Sequence, residues 1–115
     1  MINQEQETFF ERLSKAIETC QKIHNDSRTP LDDALALVEP IRTLHRCRQA
    51  LRKAAFRASM NDSKFSAAIY SLEKINNTIK AEIMAHNSTL GFVKDAATAS
   101  AAVLDFAVTV GAFVA

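Results

Sequence analysis

Residues 90–115 read LGFVKDAATASAAVLDFAVTVGAFVA, and this stretch decides the fold. Wound at about 100° per residue, Lys94, Thr98, Asp105 and Thr109 gather in one stripe of roughly 60°, while nearly everything else around the circumference is apolar. Such a helix cannot be covered from one side only. It either sits at the centre of a bundle or offers apolar surface to a partner. Small residues four apart, Ala97 with Ala101 and Ala107 with Gly111, predict the close approach of another helix. Phe92, Phe106 and Phe113 are then the candidate anchors of an interface. The competing reading is a strand, because Val103, Val108 and Val110 are β-branched, but a lone strand in a helical chain has nothing to pair with unless the molecule dimerises.

Working back from this segment, the rest of the chain reads as helices. Phe65, Ala68, Ile69, Leu72, Ile75, Ile79 and Ile83 hold a stripe at helical spacing, starting at about Ser63 behind the capping residues Asn61 and Asp62 and ending near Asn87-Ser88-Thr89. From about Asn3 to Asn25, Phe9, Leu13, Ala16, Ile17, Cys20 and Ile23 recur at steps of three and four. Glu11 with Lys15 and Glu18 with Lys22 form i,i+4 pairs on the other face. Between these helices Thr29-Pro30-Leu31-Asp32 offers an N-cap hydroxyl and a proline at the first helical position. The helix it opens has apolar positions at Leu31, Leu35, Val38, Ile41, Leu44, Leu51 and Ala55 and runs to about Ser59. Pro40 lacks an amide donor and clashes with the carbonyl four residues back, so this helix kinks or divides there. With 48% apolar residues, two glycines and two prolines, the chain favours long elements, few turns and a core that needs no metal or disulfide. The expected architecture is all-α: one domain spanning 1–115, an antiparallel bundle of about four helices, the second kinked or broken at Pro40 and the last packed centrally or at a subunit interface.

Net charge is +1, too small to steer the whole molecule toward nucleic acid or an anionic membrane. Its distribution says more. Residues 1–39 carry eight acidic and four basic side chains, residues 40–60 six basic and none acidic, and residues 61–115 five acidic and four basic. On a helix from Pro40 to Ser59, Arg42, Arg46, Gln49, Lys53 and Arg57 fall within about 80° of one another, a cationic rail roughly 22 Å long. Leu44, Cys47, Leu51, Ala54, Ala55 and Ala58 gather opposite, and Arg48 and Arg52 flank that apolar side. Such a rail suits an acidic protein surface, phosphates or an acidic membrane. It equally suits the chain's own acidic segments, Glu5, Glu7 and Glu11 or Asp32, Asp33 and Glu39.

The tail approaches the length of a membrane span, but Asp105 sits at its middle, where an acidic residue costs about 2.5–3.5 kcal/mol, and no Lys or Arg follows it. Cys20 and His24 at i,i+4 could share a metal ion, yet no further ligands stand at suitable spacing, and Cys20 and Cys47 read as reduced, packed thiols. No glycine-rich phosphate loop, nucleophile elbow or His-Glu-x-x-His is present, which argues against an enzyme. No metal or cofactor is expected. The acidic, polar start lacks the features of a secretion signal, so a cytoplasmic location is expected. An over-apolar helix and a separated cationic rail together point to a non-enzymatic protein-binding module of the adaptor, chaperone or toxin-neutralising (immunity) kind, acting on another protein or as a homo-oligomer. The alternatives are nucleic-acid binding through Arg42, Arg46, Lys53 and Arg57, and membrane association through residues 90–115.

Overall fold

The computed structural model describes residues 4–54, 62–78 and 89–112, all of which lie in helices or the turns beside them, with no strand among the described residues. The helices are α1 (Gln4–Asn25), α2 (Leu31–Ala36), α3 (Val38–Lys53), α4 (Ser63–Thr78) and α5 (Thr89–Thr109). The last 21 residues of helix thus settle the choice between rod and strand in favour of the rod. Ile79 and Ile83 of the expected third helix lie outside the described residues, as do Ala55 and Ala58.

Pro40 acts as its chemistry requires, three residues upstream of itself. It has no amide to offer the Ala36 carbonyl and its ring crowds that carbonyl, so the expected second helix divides into α2 and α3 across Leu37, with a bend of 26°. Leu37 keeps helical dihedrals (φ −83°, ψ −14°) and accepts the first bond of α3 from the Ile41 amide at 3.0 Å. Pro40 itself falls in the first turn of α3, where a missing donor costs nothing. The other end of this element is shorter than its sequence suggests: Ala54 is extended (ψ 135°), so α3 stops at Lys53 rather than near Ser59.

Local chemistry sets the remaining boundaries. Asp62 caps α4, its Oδ1 accepting from the amides of Lys64 at 2.9 Å and Phe65 at 3.3 Å. Gly111 closes α5 with φ +77°, a left-handed conformation that side chains disfavour. The Ala112 amide donates to the Ala107 carbonyl and the Gly111 amide to that of Val108, both at 3.0 Å, which is the Schellman pattern. Thr29 departs from expectation. It makes no side-chain cap at the start of α2, and its hydroxyl donates instead to the Ile23 carbonyl in the last turn of α1, which also accepts from the Asp26 amide at 3.3 Å.

The turn between α1 and α2 is tied by a single carboxylate. Asp26 accepts from the Arg28 amide at 2.8 Å and from its guanidinium at 3.0 and 2.6 Å. These bonds hold the Asp26 carboxyl at about 2, well below the ordinary 3.8, the Arg28 side chain being the main cause and its amide the next. Because the folded value is depressed, the contribution to stability is present above the ordinary carboxylate range and is lost as pH falls toward 2. Carboxyl NMR should therefore place the Asp26 midpoint near 2, and Arg28→Ala should move it up by roughly one to two units. A midpoint left in place by Arg28→Ala contradicts the assignment.

Around the bundle the neighbours run α1, α3, α5, α4, with α2 touching α1, α3 and α5. Gln21 meets His45, Ser14 meets Arg48 and Phe10 meets Arg52, so α1 and α3 are antiparallel. Lys64 binds Asp105 at 2.6 Å and Lys74 binds Asp95 at 3.4 Å, so α4 and α5 are antiparallel too. Consecutive α3 and α4 occupy opposite corners, which brings α1 beside α4 in the same sense: Phe9 meets Phe65, and Arg12 meets Glu73 at 3.2 Å.

One core cluster fills the interior. At one end Phe9, Phe65 and Phe106 form a closed triangle of rings with centroids 5.3–5.4 Å apart, all essentially without solvent contact. Along the bundle Leu13, Ile17, Leu44, Leu51, Leu72, Ile75, Phe92 and Val103 continue it. The expected stripes of α1 and α4 are in this core where the residues are described; in α3 Leu44 and Leu51 are in it, Ile41 packs against it half-buried, and Val38 is only half-buried. The stripe of α2 is not: Leu31 and Leu35 are 72% and 60% exposed, and α2 buries no residue.

Candidate functional site

The cationic face of α3 arises from the same periodicity that builds the core. Pro40, Leu44, Cys47 and Leu51 point inward and are buried, so Arg42, Arg46, Gln49 and Lys53 emerge on the other side, all exposed. From Arg42 to Lys53 this face spans about 16 Å of helix rather than the longer rail read from the sequence, because α3 ends at Lys53. Arg57 lies outside the described residues.

Within the face the cations are not equivalent. Arg42 donates to Glu39 Oε1 at 3.0 Å, an i,i+3 pair exposed on both sides, and worth little against solvent and salt. Glu39, from the chain's own expected acidic set, thus supplies an acidic partner to this face. Gln49 and Lys53 continue the exposed row. The two flanking arginines are used structurally. Arg48 is half-buried and donates to Ser14 Oγ at 3.3 Å, with its other nitrogen 3.2 Å from His45 Nδ1. Arg52 lies over the Phe10 ring, 5.7 Å from its centroid, so its stem and charge cover an aromatic edge of the core.

Beside this face the exterior of α1 is acidic. Glu7, Phe10, Glu11, Ser14, Lys15, Glu18 and Arg52 line an open groove of about 950 Å³ between α1 and the end of α3. Glu18 is engaged with Lys22 at 3.3 Å, the i,i+4 pair read from the sequence. The outer surfaces of neighbouring α1 and α3 thus carry opposite charge, and a ligand crossing from one to the other meets a reversal of sign.

The aromatic candidates fall elsewhere. Phe92 and Phe106 have no exposed surface and belong to the chain's own core, so neither ring is presented to a partner. Periodicity could not separate the two roles, since an anchor and a core residue repeat alike. Phe113 lies outside the described residues. The enclosure expected for α5 is also only partial. It packs against α2, α3 and α4 and buries Phe92, Ala96, Ala99, Val103, Phe106 and Ala107, but Ala97 and Ala101 face outward and are exposed. Ala107 and Gly111 do not form a packing pair either, because Gly111 ends the helix. No helix of the described residues is long and apolar enough to cross a membrane.

The thiols are inward. Cys20 and Cys47 are free and buried on facing helices. Burial pushes Cys20 up to about 12 and Cys47 up to about 11, the latter opposed weakly by the charge of Arg46. His24 is hydrogen-bonded to Asn25 Oδ1 at 3.0 Å, and no group of three His, Cys, Asp or Glu among the described residues could hold a metal ion. Comparison with protein-family models, with curated proteins and with solved structures returns no match, so the reading of this site rests on its own residues.

Proposed function

We propose that this chain is a non-enzymatic protein-binding module of the adaptor, chaperone or toxin-neutralising kind, and that the outer face of α3 is where it meets an acidic partner protein. The observation that carries the reading is the row Arg42, Arg46, Gln49 and Lys53, exposed along three turns of a helix whose other side is locked into the core. A rigid helix presents its cations at fixed spacing, so little conformational freedom is lost when carboxylates bind them. The sign change toward Glu7 and Glu11 on α1 supports a protein over a nucleic acid, because a continuous phosphate backbone would be repelled where the face ends.

Affinity capture with the intact chain, compared between wild type and the double variant Arg46→Glu/Lys53→Glu, tests the proposal. Wild type should retain an acidic protein, and the variant should lose it by at least about tenfold, since rim charges act mainly on association and reversal adds repulsion. Retention should survive nuclease treatment. Capture that nuclease abolishes assigns the face to nucleic acid instead, and identical capture by both chains removes α3 from the reading.

A further inference from the structure

The uncovered side of α5 has a symmetry that an isolated surface does not need. Leu90 and Val108 are 56% and 40% exposed at its two ends, Lys94 and Asp105 stand inside them, and Thr98 and Ala101 lie at the middle. All six fall within about 80° of one another around the helix. Thr98 and Ala101 are equidistant from the point between residues 99 and 100, and so are Lys94 and Asp105, each about 8 Å from it along the axis.

We infer that this face of α5 pairs with the same face of a second copy, antiparallel, about a two-fold axis through that midpoint. A two-fold contact requires that each residue meet its counterpart and be met by it in return. In this register Lys94 of each copy lies level with Asp105 of the other, Leu90 lies beside Val108, and the small side chains of Thr98 and Ala101 sit at the crossing, where the helices come closest. A parallel pairing would set Lys94 on Lys94 and Asp105 on Asp105, so the order of charges selects the antiparallel one. Asp105 is already bonded to Lys64 through Oδ2 at 2.6 Å, on an exposed site. A carboxylate has a second oxygen, so Lys94 from the other copy completes a three-member ion network rather than breaking a bond. This contact is distinct from the α3 face and stands or falls separately from it.

Sedimentation velocity from roughly 1 to 500 μM covers the range in which a single helix pair of this size would assemble. Wild type should pass from one chain mass to two. Lys94→Glu and Asp105→Lys should each weaken the dimer by roughly 10- to 50-fold, because the axis turns two attractions into two repulsions. Mixing these two variants should restore a heterodimer, since one face is then wholly acidic and the other wholly basic. Ala101→Glu, exposed in the single chain, should abolish assembly by holding the helices apart. Wild type remaining at one chain mass throughout overturns the inference. So does a dimer that survives Lys94→Glu, Asp105→Lys and Ala101→Glu, or a mixture of folded variants that fails to reassemble.

Discussion

Phe106→Ala should lower the free energy of unfolding by about 3–5 kcal/mol, the range for removing a fully buried phenylalanine ring. The upper half of the range is expected because the ring packs against other aromatic rings, among them Phe9 at 5.4 Å and Phe65 at 5.3 Å, and such pairs add about 0.5–1.5 kcal/mol beyond area burial. The three rings come from α1, α4 and α5, so none of these helices can shift to fill the space without losing its other contacts. Set against a total of about 5–15 kcal/mol for a domain, the variant would be close to unfolding. Chemical denaturation should show a lower midpoint with little change in slope. Phe106→Leu, which keeps most of the volume, should cost much less. Were Phe106 a surface anchor, both variants would leave the midpoint where it was and alter only binding.

Modification of the two cysteines should be slower in the folded chain than in the unfolded one, because at neutral pH the reactive thiolate is rarer by about a thousandfold at Cys20 and a hundredfold at Cys47, a loss that the greater nucleophilicity of a more basic thiolate offsets in part. The reactive species is the thiolate, and burial raises the two groups from the ordinary 9.0 to about 12 and about 11. Both sit on the inward faces of α1 and α3, so a reagent must also wait for that pair to part. Mass spectrometry of cyanylated or disulfide-labelled protein, with and without denaturant, reads both sites together. The same raised values work against folding at high pH: the stabilisation is intact below about pH 9 and is lost progressively as pH rises through 11 and 12. Rapid labelling of native protein at neutral pH would mean that α1 and α3 do not pack as described.

Much of the fold was legible because the core repeats obey one rule. Phe9 through Ile23, Leu44 through Leu51 and Phe65 through Ile75 are spaced for a helix face and are buried. Asp62 stood among three capping residues and caps α4. What misled had local causes. Leu31 and Leu35 fit the same spacing, but the division at Leu37 turns six residues into a separate helix too short to bring them to the core. Thr29 had two helix ends within reach and serves the earlier one. Gly111 carried a readable signal, a glycine shortly after a helical stretch, that was outweighed by its spacing from Ala107.

The candidate site was less legible than the fold. The exposed row on α3 follows from its periodicity, but its length depended on where the helix stops, and nothing in Lys53-Ala54 announces a stop. The role of Phe92 and Phe106 depended on how many neighbours α5 has. A sequence reports that a helix is apolar on most sides, not which of those sides other helices will occupy.

The aromatic triangle joins residues 9, 65 and 106, and so links the beginning of the chain to a point nearly a hundred residues later. During synthesis the first helical hairpin emerges with its greasy side open and must wait for α5 to leave the ribosome before that side is sealed. Translational pausing before Phe106 would lengthen the time for which that side stays open.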